Sequence, residues 1–192
     1  MRVIFIGPPC SGKGTQAKLL SQKLSLPHIA TGEIFAGAIA KKTPLGLQIQ
    51  ELISKGLLVD NQTTNKIVAE RLNDPDCQAG FILDGYPRNL DQALFLNNLL
   101  SAKGLGLDRA IYLKVPEEIL LMRVKERAAT GRHSGNQRLD DNVDILKERI
   151  AIFNKETAPL IQYFKDFGIL VEVNGVGLID EVTQRIFLAT NP

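Results

Sequence analysis

The sequence has two cysteines, no tryptophan, little net charge and no long hydrophobic run. Cys10 and Cys77 are far apart and belong to no CxxC pair, which argues against a structural zinc site and favours reduced thiols. The apolar runs are too short to span a membrane, and the first strand-like run begins at Arg2, so we expect no signal peptide. A net charge of +2 does not favour nucleic acid or an acidic membrane as a partner. We therefore expect a cytoplasmic protein that binds neither.

The remaining composition is that of an ordinary globular protein. With 192 residues, of which 44% are hydrophobic and 23% charged, the chain is long enough for one domain with a substantial core. Short apolar runs predict strands at residues 2–6, 27–30, 81–83, 109–115 and 169–173. Helical patterns lie between them at residues 13–24, 61–72, 90–102, 117–127, 141–165 and 178–188. This alternation predicts an α/β/α fold with a five-stranded parallel sheet.

Two segments interrupt the alternation. Residues 31–59 contain only helical patterns, and in one of these Thr43 is the predicted cap and Gly56 the predicted stop. Residues 128–138 are small, polar and Gly-rich, which is typical of a functional or mobile loop. We interpret the first segment as a helical insert and the second as a flap over a core made of residues 1–30, 60–127 and 139–192.

The most informative motif follows the first predicted strand. Residues 7–15 read GPPCSGKGT and lead directly into a helical pattern. Glycines allow successive backbone N–H groups to converge on phosphate oxygens, and the N-terminus of the helix adds the positive end of its dipole. Lys13 supplies a charge for the outer phosphates, whereas Gly14 stands where Ser or Thr usually follows the lysine. The motif therefore predicts a phosphate-binding loop, and a Gly-rich surface turn is the alternative.

A second polar motif ends the third predicted strand. In residues 80–88, GFILDGYPR, the apolar run stops at Asp84. An acid at the end of a neighbouring strand holds Mg²⁺ in phosphate-loop proteins, directly or through water. Alternatively, Asp84 only forms the turn before Gly85. We expect Asp84 to contact Mg²⁺ through water.

Several separated motifs together resemble adenylate kinase, a nucleoside monophosphate kinase. They are residues 7–16, residues 30–33 (ATGE), residues 81–92 (FILDGYPRNLDQ) and residues 138–142 (RLDDN), and the likeness continues through residues 157–161 and 173–175. In that family GKGT is the usual form of the loop, which accounts for Gly14. The resemblance implies Mg²⁺-dependent transfer of the ATP γ-phosphate to AMP by a monomer. The insert would bind AMP, and the short flap would be a lid without zinc, since His133 is its only good zinc ligand.

The resemblance also implies the residues of the site. The ATP site would comprise Pro9, Cys10, Ser11, Gly12, Lys13, Gly14, Thr15, Arg123, Arg127 and Gly177. The AMP site would comprise Thr31, Gly32, Leu57, Val59, Gly85, Arg88, Gln92, Arg138 and Arg149. Catalysis would rest on Lys13, Arg88, Arg123, Arg138 and Arg149, because phosphoryl transfer depends mainly on positioning and on neutralising oxygen charges.

The accepted base depends on two of these residues. Thr31 and Gln92 match adenylate kinases, whereas the similar UMP/CMP kinases usually carry Ala and Asn there. The amide of Gln92 can pair with adenine through a donor and an acceptor. Gln92 also follows Asn89 by three residues, so it could instead complete a capping box at the start of a helix.

Three alternatives remain. The first is a UMP/CMP kinase, and the second is a GTPase-type switch, which is disfavoured because Asn65-Lys66 is followed by Ile67 rather than by the pattern that recognises guanine. The third is a nucleotide-binding protein with weak turnover. It stays open because Ala36 occupies the position at which the family normally has an arginine for the AMP phosphate.

Overall fold

Five parallel strands form the central sheet. The computed structural model describes residues 1–40, 42, 44–55, 57–134 and 142–190, with the backbone alone at residues 45 and 130–134. The strands are β1 (Arg2–Ile6), β2 (His28–Ala30), β3 (Phe81–Asp84), β4 (Arg109–Lys114) and β5 (Leu170–Asn174), and their order in the sheet is β2-β3-β1-β4-β5. Val3 of β1 pairs with Ile82 of β3 and with Arg109 of β4. The predicted parallel sheet is confirmed, and each strand bound differs from its predicted position by at most one residue.

Helices cover both faces of this sheet. They are α1 (Lys13–Leu24), α2 (Thr31–Ala40), α3 (Pro44–Ser54), α4 (Asn61–Arg71), α5 (Leu90–Ser101), α6 (Glu117–Ser134), α7 (Val143–Ile152), α8 (Pro159–Asp166) and α9 (Ile179–Thr190). Among the described residues, these helices include none with the combination of length and apolar character that crossing a bilayer requires.

Alternate residues of β1 contribute to the two hydrophobic cores, one on each face of the sheet. Val3 and Phe5 pack with apolar residues of α1 and α9, whereas Ile4 and Ile6 pack with those of α5 and α8. All four side chains are at most 1% exposed. Because burying a large apolar side chain contributes roughly 1.5–3 kcal/mol, the centre of the sheet is a stable base for the loops at its carboxyl edge. The phosphate loop follows β1 at this edge.

The helical insert has a small core of its own. Phe35 of α2, Ile49 of α3 and Val59 pack together, and Leu52 and Ile53 lie against them. The predicted apolar face of α3 therefore covers this cluster. The predicted cap Thr43 and stop Gly56 lie outside the described residues.

Two predicted helix extents are wrong. The helix predicted to end at residue 127 continues as α6 to Ser134, because the helix-favouring alanines 128 and 129 follow without an interruption. The helix predicted over residues 141–165 is divided into α7, a π-helical turn at Phe153–Thr157 and α8. Pro159 has no N–H to donate into the preceding turn, which accounts for the break.

Candidate active site

The phosphate loop connects the centre of the sheet to α1. The Ser11 N–H donates to the Pro8 carbonyl oxygen at 3.3 Å, and Gly12 enters the helix with φ +95°. No side chain caps the N-terminus of α1, whereas Asp60, Asn89 and Asn142 cap α4, α5 and α7. The first N–H groups of α1 are therefore available to an anion, as the motif predicts.

Cys10 adopts a left-handed conformation in this loop, with φ +61°. An L-residue in that conformation costs about 1–2 kcal/mol relative to its usual backbone angles. The cost explains why glycine suits this position, and the half-buried Cys10 side chain packs against the cluster around Val115 and Leu120.

Lys13, Arg88 and Arg149 line one cleft at the carboxyl edge of the sheet. Lys13 Nζ donates to the Pro8 carbonyl oxygen at 2.8 Å, which holds the ammonium group over the loop. Burial lowers the pKa of Lys13 to about 8. The charge of Asp84 opposes this shift, while the two arginines add to it. Three cationic side chains thus converge where a phosphate group would neutralise them.

The lowered pKa of Lys13 predicts how the activity implied by the resemblance depends on pH. Since this ammonium group loses its proton as the pH rises through about 8, we expect kcat/KM for ATP to fall there. The pH profile of the wild type should be measured beside that of Lys13→Arg. Arginine stays protonated in this range, so the variant should have lower activity but no decline near pH 8. A wild-type profile that stays level well above pH 8 would contradict the assignment.

Asp84 ends β3 beside the phosphate loop. Its side chain is 16% exposed, and its Oδ2 atom lies 3.9 Å from Nε2 of His28, too far for a hydrogen bond. Burial raises the pKa of Asp84, but the nearby His28 and the charges of Lys13 and Arg88 outweigh burial and hold the pKa below its usual value. Asp84 is therefore an ionised carboxylate at neutral pH.

The position of Asp84 explains the glycine that follows Lys13. A Cβ atom at Gly14 would lie 3.1 Å from Asp84 Oδ2. A serine or threonine at this position would press its side chain against the carboxylate. Because Gly14 has no side chain, the carboxylate of Asp84 fits beside it. The sequence alone did not show this contact.

Gly85 connects the residues that are predicted to bind AMP. Thr31 Oγ1 donates to the Gly85 carbonyl oxygen at 3.1 Å, and Arg88 Nε donates to the same oxygen at 2.8 Å. Thr157 Oγ1 donates to the Arg88 carbonyl oxygen at 2.7 Å, so the π-helical turn also holds this segment. The predicted residues Thr31, Gly85 and Arg88 are therefore neighbours.

Substituting Gly85 by alanine should damage both stability and the site. Gly85 has φ +77°, and a Cβ atom there would lie 2.7 Å from Thr31 Oγ1 and 3.2 Å from Arg88 Nη2. We expect a loss of more than about 1–2 kcal/mol, because crowding adds to the left-handed cost. Gly104→Ala is the matched control, since Gly104 has φ +68° and nothing within 4 Å of its Cβ position. Urea unfolding should show a larger loss for Gly85→Ala, and equal losses would contradict the crowding argument.

Gln92 is buried at the start of α5, with 2% of its surface exposed. Its Oε1 accepts from the Arg88 N–H at 2.8 Å, and its Nε2 donates to Asn61 Oδ1 at 2.9 Å. Asn89 caps the helix by accepting from the Gln92 N–H at 3.0 Å, as the capping alternative requires. The side chain of Gln92, however, is held by Arg88 and Asn61.

Arg123 joins the phosphate loop to the segment after β5. Its Nη1 donates to the Ser11 carbonyl oxygen at 2.9 Å, and its Nη2 donates to the Gly175 carbonyl oxygen at 2.8 Å. Arg123 therefore lies at the predicted ATP side, where it supports the loop. Arg127 is half-buried one turn further along α6, and Gly177 has φ +123°.

The remaining predicted residues are distributed around the cleft. Leu57 is 46% exposed and Val59 is buried, and between them Leu58 lines the cleft. Arg138 lies outside the described residues. The sequence analysis missed Asn61 and Thr157, which hold Gln92 and Arg88. Asn61 gave no signal beyond its place at the start of the helix predicted over residues 61–72. Thr157 lies in the segment 157–161 that shares the resemblance, but nothing in the sequence indicated its contact with Arg88.

A parallel sheet, a Gly-rich loop that opens into an uncapped helix, and a cationic cleft beside an ionised aspartate define a phosphotransferase of the P-loop class. The sequence profile of the adenylate kinase family matches residues 5–169. An adenylate kinase from Clostridium botulinum (strain 657 / Type Ba4) is 44% identical over 208 aligned positions, which cover 97% of this chain and 96% of the relative. Adenylate kinases from Thermobifida fusca (strain YX) and Xylella fastidiosa (strain 9a5c) are each 42% identical over 189 positions, covering 98% of this chain and 97% and 98% of the relatives.

The chain belongs to the adenylate kinase family. Its reaction is phosphoryl transfer between ATP and AMP, as the resemblance implied. Nothing in these comparisons favours the UMP/CMP kinase alternative.

Proposed function

We propose that ATP lies on the phosphate loop, that AMP lies against Thr31, Gly85 and Arg88, and that the γ-phosphoryl group passes between them across the cleft. The convergence of Lys13, Arg88 and Arg149 on one cleft is the observation that carries this proposal. Phosphoryl transfer spreads negative charge over the transferred oxygens, so preorganised cations stabilise the transition state. Arg138 would add a charge from the lid.

Mg²⁺ fits the residues beside the loop. Asp84 offers an ionised carboxylate next to Gly14, and hard cations of this kind prefer oxygen ligands and retain several waters. Asp84 would hold the ion through water, and the ion would neutralise charge on the ATP phosphates. The contribution of the chain is to keep Asp84 ionised, which the charge of Lys13 favours.

The lid is proposed to be short and free of zinc. The alignment with the Clostridium botulinum relative spans 208 positions, more than the 192 residues of this chain, so that relative carries inserted sequence. The flap sequence has no cysteine, and tetrahedral zinc needs four ligands. Stoichiometric zinc in the purified protein, with stability lost on chelation, would contradict this.

We further propose that the protein is a cytoplasmic monomer.

A coupled assay of ADP formation tests the assignment directly. ATP should be supplied with AMP, CMP, UMP or GMP, with and without Mg²⁺. We expect turnover with AMP that requires Mg²⁺ and exceeds turnover with the other acceptors. A preference for UMP or CMP as the acceptor would support the UMP/CMP kinase alternative. Nucleotide binding with negligible turnover on all four would support the weak-turnover alternative.

A further inference from the structure

A partly buried network of polar side chains connects the first residue of α4 to the start of α5. Asn61 Oδ1 accepts from Gln92 Nε2 and from Asn89 Nδ2, each at 2.9 Å. Asn61 Nδ2 lies 3.4 Å from Asp91 Oδ2. The three residues that Asn61 contacts all belong to the segment of Gln92, about thirty positions away in sequence.

This network fixes the orientation of the Gln92 carboxamide. Its oxygen faces the Arg88 N–H, a donor, and its nitrogen faces Asn61 Oδ1, an acceptor. Turning the amide by 180° would set nitrogen against the N–H group and oxygen against oxygen. Each contact uses only part of the group, because a carboxamide has two N–H donors and two lone pairs on its oxygen. The Gln92 carboxamide therefore keeps one free N–H donor on Nε2 and one free lone pair on Oε1. The network determines which side of the carboxamide carries the donor and which carries the acceptor.

The order of these two groups distinguishes classes of base. The six-membered ring of adenine presents an exocyclic amino donor beside a ring-nitrogen acceptor, whereas hypoxanthine presents a carbonyl acceptor beside an N–H donor. An amide with fixed orientation pairs with one pattern and opposes the other. A buried polar group that is left unpaired costs more than a formed hydrogen bond contributes.

We infer that Asn61 is a specificity-determining positioning residue, which locks the Gln92 amide in the orientation that accepts an amino-bearing base and rejects a keto base. The inference rests on the proposed function and on the expectation that Gln92 pairs with the base of the acceptor nucleotide. Asn61 need not touch the nucleotide, since it acts through Gln92.

The test compares AMP with IMP, which differ in the donor and acceptor pattern of this edge. In Asn61→Ala we expect the ratio of kcat/KM for AMP to that for IMP to fall about fivefold to tenfold, as the loss of one hydrogen bond predicts. The fall should come from a higher KM for AMP, with kcat at saturating AMP and KM for ATP unchanged. Asn61→Asp keeps the acceptor oxygen but sets a second carboxylate against Asp91 Oδ2, so the ratio should be restored in the double variant Asn61→Asp/Asp91→Asn. Asn61→Ser, a second truncation suited to a helix start, should behave like alanine.

Two further variants separate the possible outcomes. Asn65→Ala is the matched control, because Asn65 lies one turn further along α4 and accepts from Tyr86 Oη at 2.6 Å. It should leave the AMP to IMP ratio unchanged. Gln92→Leu should lower the ratio at least as far as Asn61→Ala. A normal ratio in Asn61→Ala and Asn61→Ser beside a lowered one in Gln92→Leu would overturn the inference alone. A normal ratio in Gln92→Leu would overturn the proposed role of Gln92 and, with it, the inference.

Discussion

Replacing Lys13 by methionine is expected to lower turnover by two to three orders of magnitude or more. Lys13 is held over the phosphate loop by the Pro8 carbonyl oxygen and lines the cleft with Arg88 and Arg149. Removing one preorganised group that stabilises developing charge costs about 10²–10³ in kcat in well-studied enzymes. Methionine has similar length and no charge, so the variant removes the charge and little volume. The coupled ADP assay gives kcat directly.

The control for this variant lies on the same helix. Lys18→Met removes a lysine from the exposed side of α1 and should leave kcat unchanged. Thermal unfolding should show that Lys13→Met is folded, and its stability should not fall, because a buried charge has been removed. Near-normal turnover in a folded Lys13→Met protein would mean that the loop has been assigned to the wrong role.

Introducing arginine at Ala36 should improve the use of AMP. Ala36 is exposed on α2, five residues after Thr31, and the family normally has an arginine there for the AMP phosphate. A charge-assisted hydrogen bond contributes roughly 1.5–3 kcal/mol, which corresponds to about a tenfold to hundredfold change in affinity. We therefore expect a fall of that size in KM for AMP, with KM for ATP unchanged. In the wild type, Arg88 and Arg149 would bind the phosphate without this partner.

Ala36→Gln is the matched control. Glutamine extends from the same exposed position and donates hydrogen bonds but carries no charge, so it should lower KM for AMP far less than arginine. Unchanged KM in both variants would mean that another basic residue already serves the phosphate or that AMP is not the native acceptor. Helix content should be the same in both variants, because both residues favour helices.

The sequence predicts the sheet and the phosphate loop well because their signals are local. Each strand is a short apolar run, and β1 and β3 at the centre are buried along nearly their whole length. The loop motif requires a strand before it and a helix after it. The division of the long helix before residue 165 was missed, although Pro159 gave a local signal for it. The length of α6 was missed because Gly131 suggested a loop where the helix continues.

The contacts within the site could not be predicted in the same way. The space that Gly14 leaves for Asp84 and the oxygen that Asn61 offers to Gln92 arise from residues distant in sequence. Such contacts depend on how elements pack, and a single sequence has no period or spacing that encodes them. Thr157 is a further example, since its hydrogen bond to Arg88 depends on the π-helical turn.

The uncapped start of α1 links the substrate to the melting behaviour of the enzyme. The first turn of α1 has no side-chain cap, so an anion that binds there as proposed would complete its hydrogen bonds, and nucleotide would act as a structural component of the folded state. A ligand that binds only the native protein stabilises it by about 2.7 kcal/mol at a concentration 100 times its Kd. We therefore expect the melting temperature of the enzyme to rise with the concentration of the nucleotide that it interconverts.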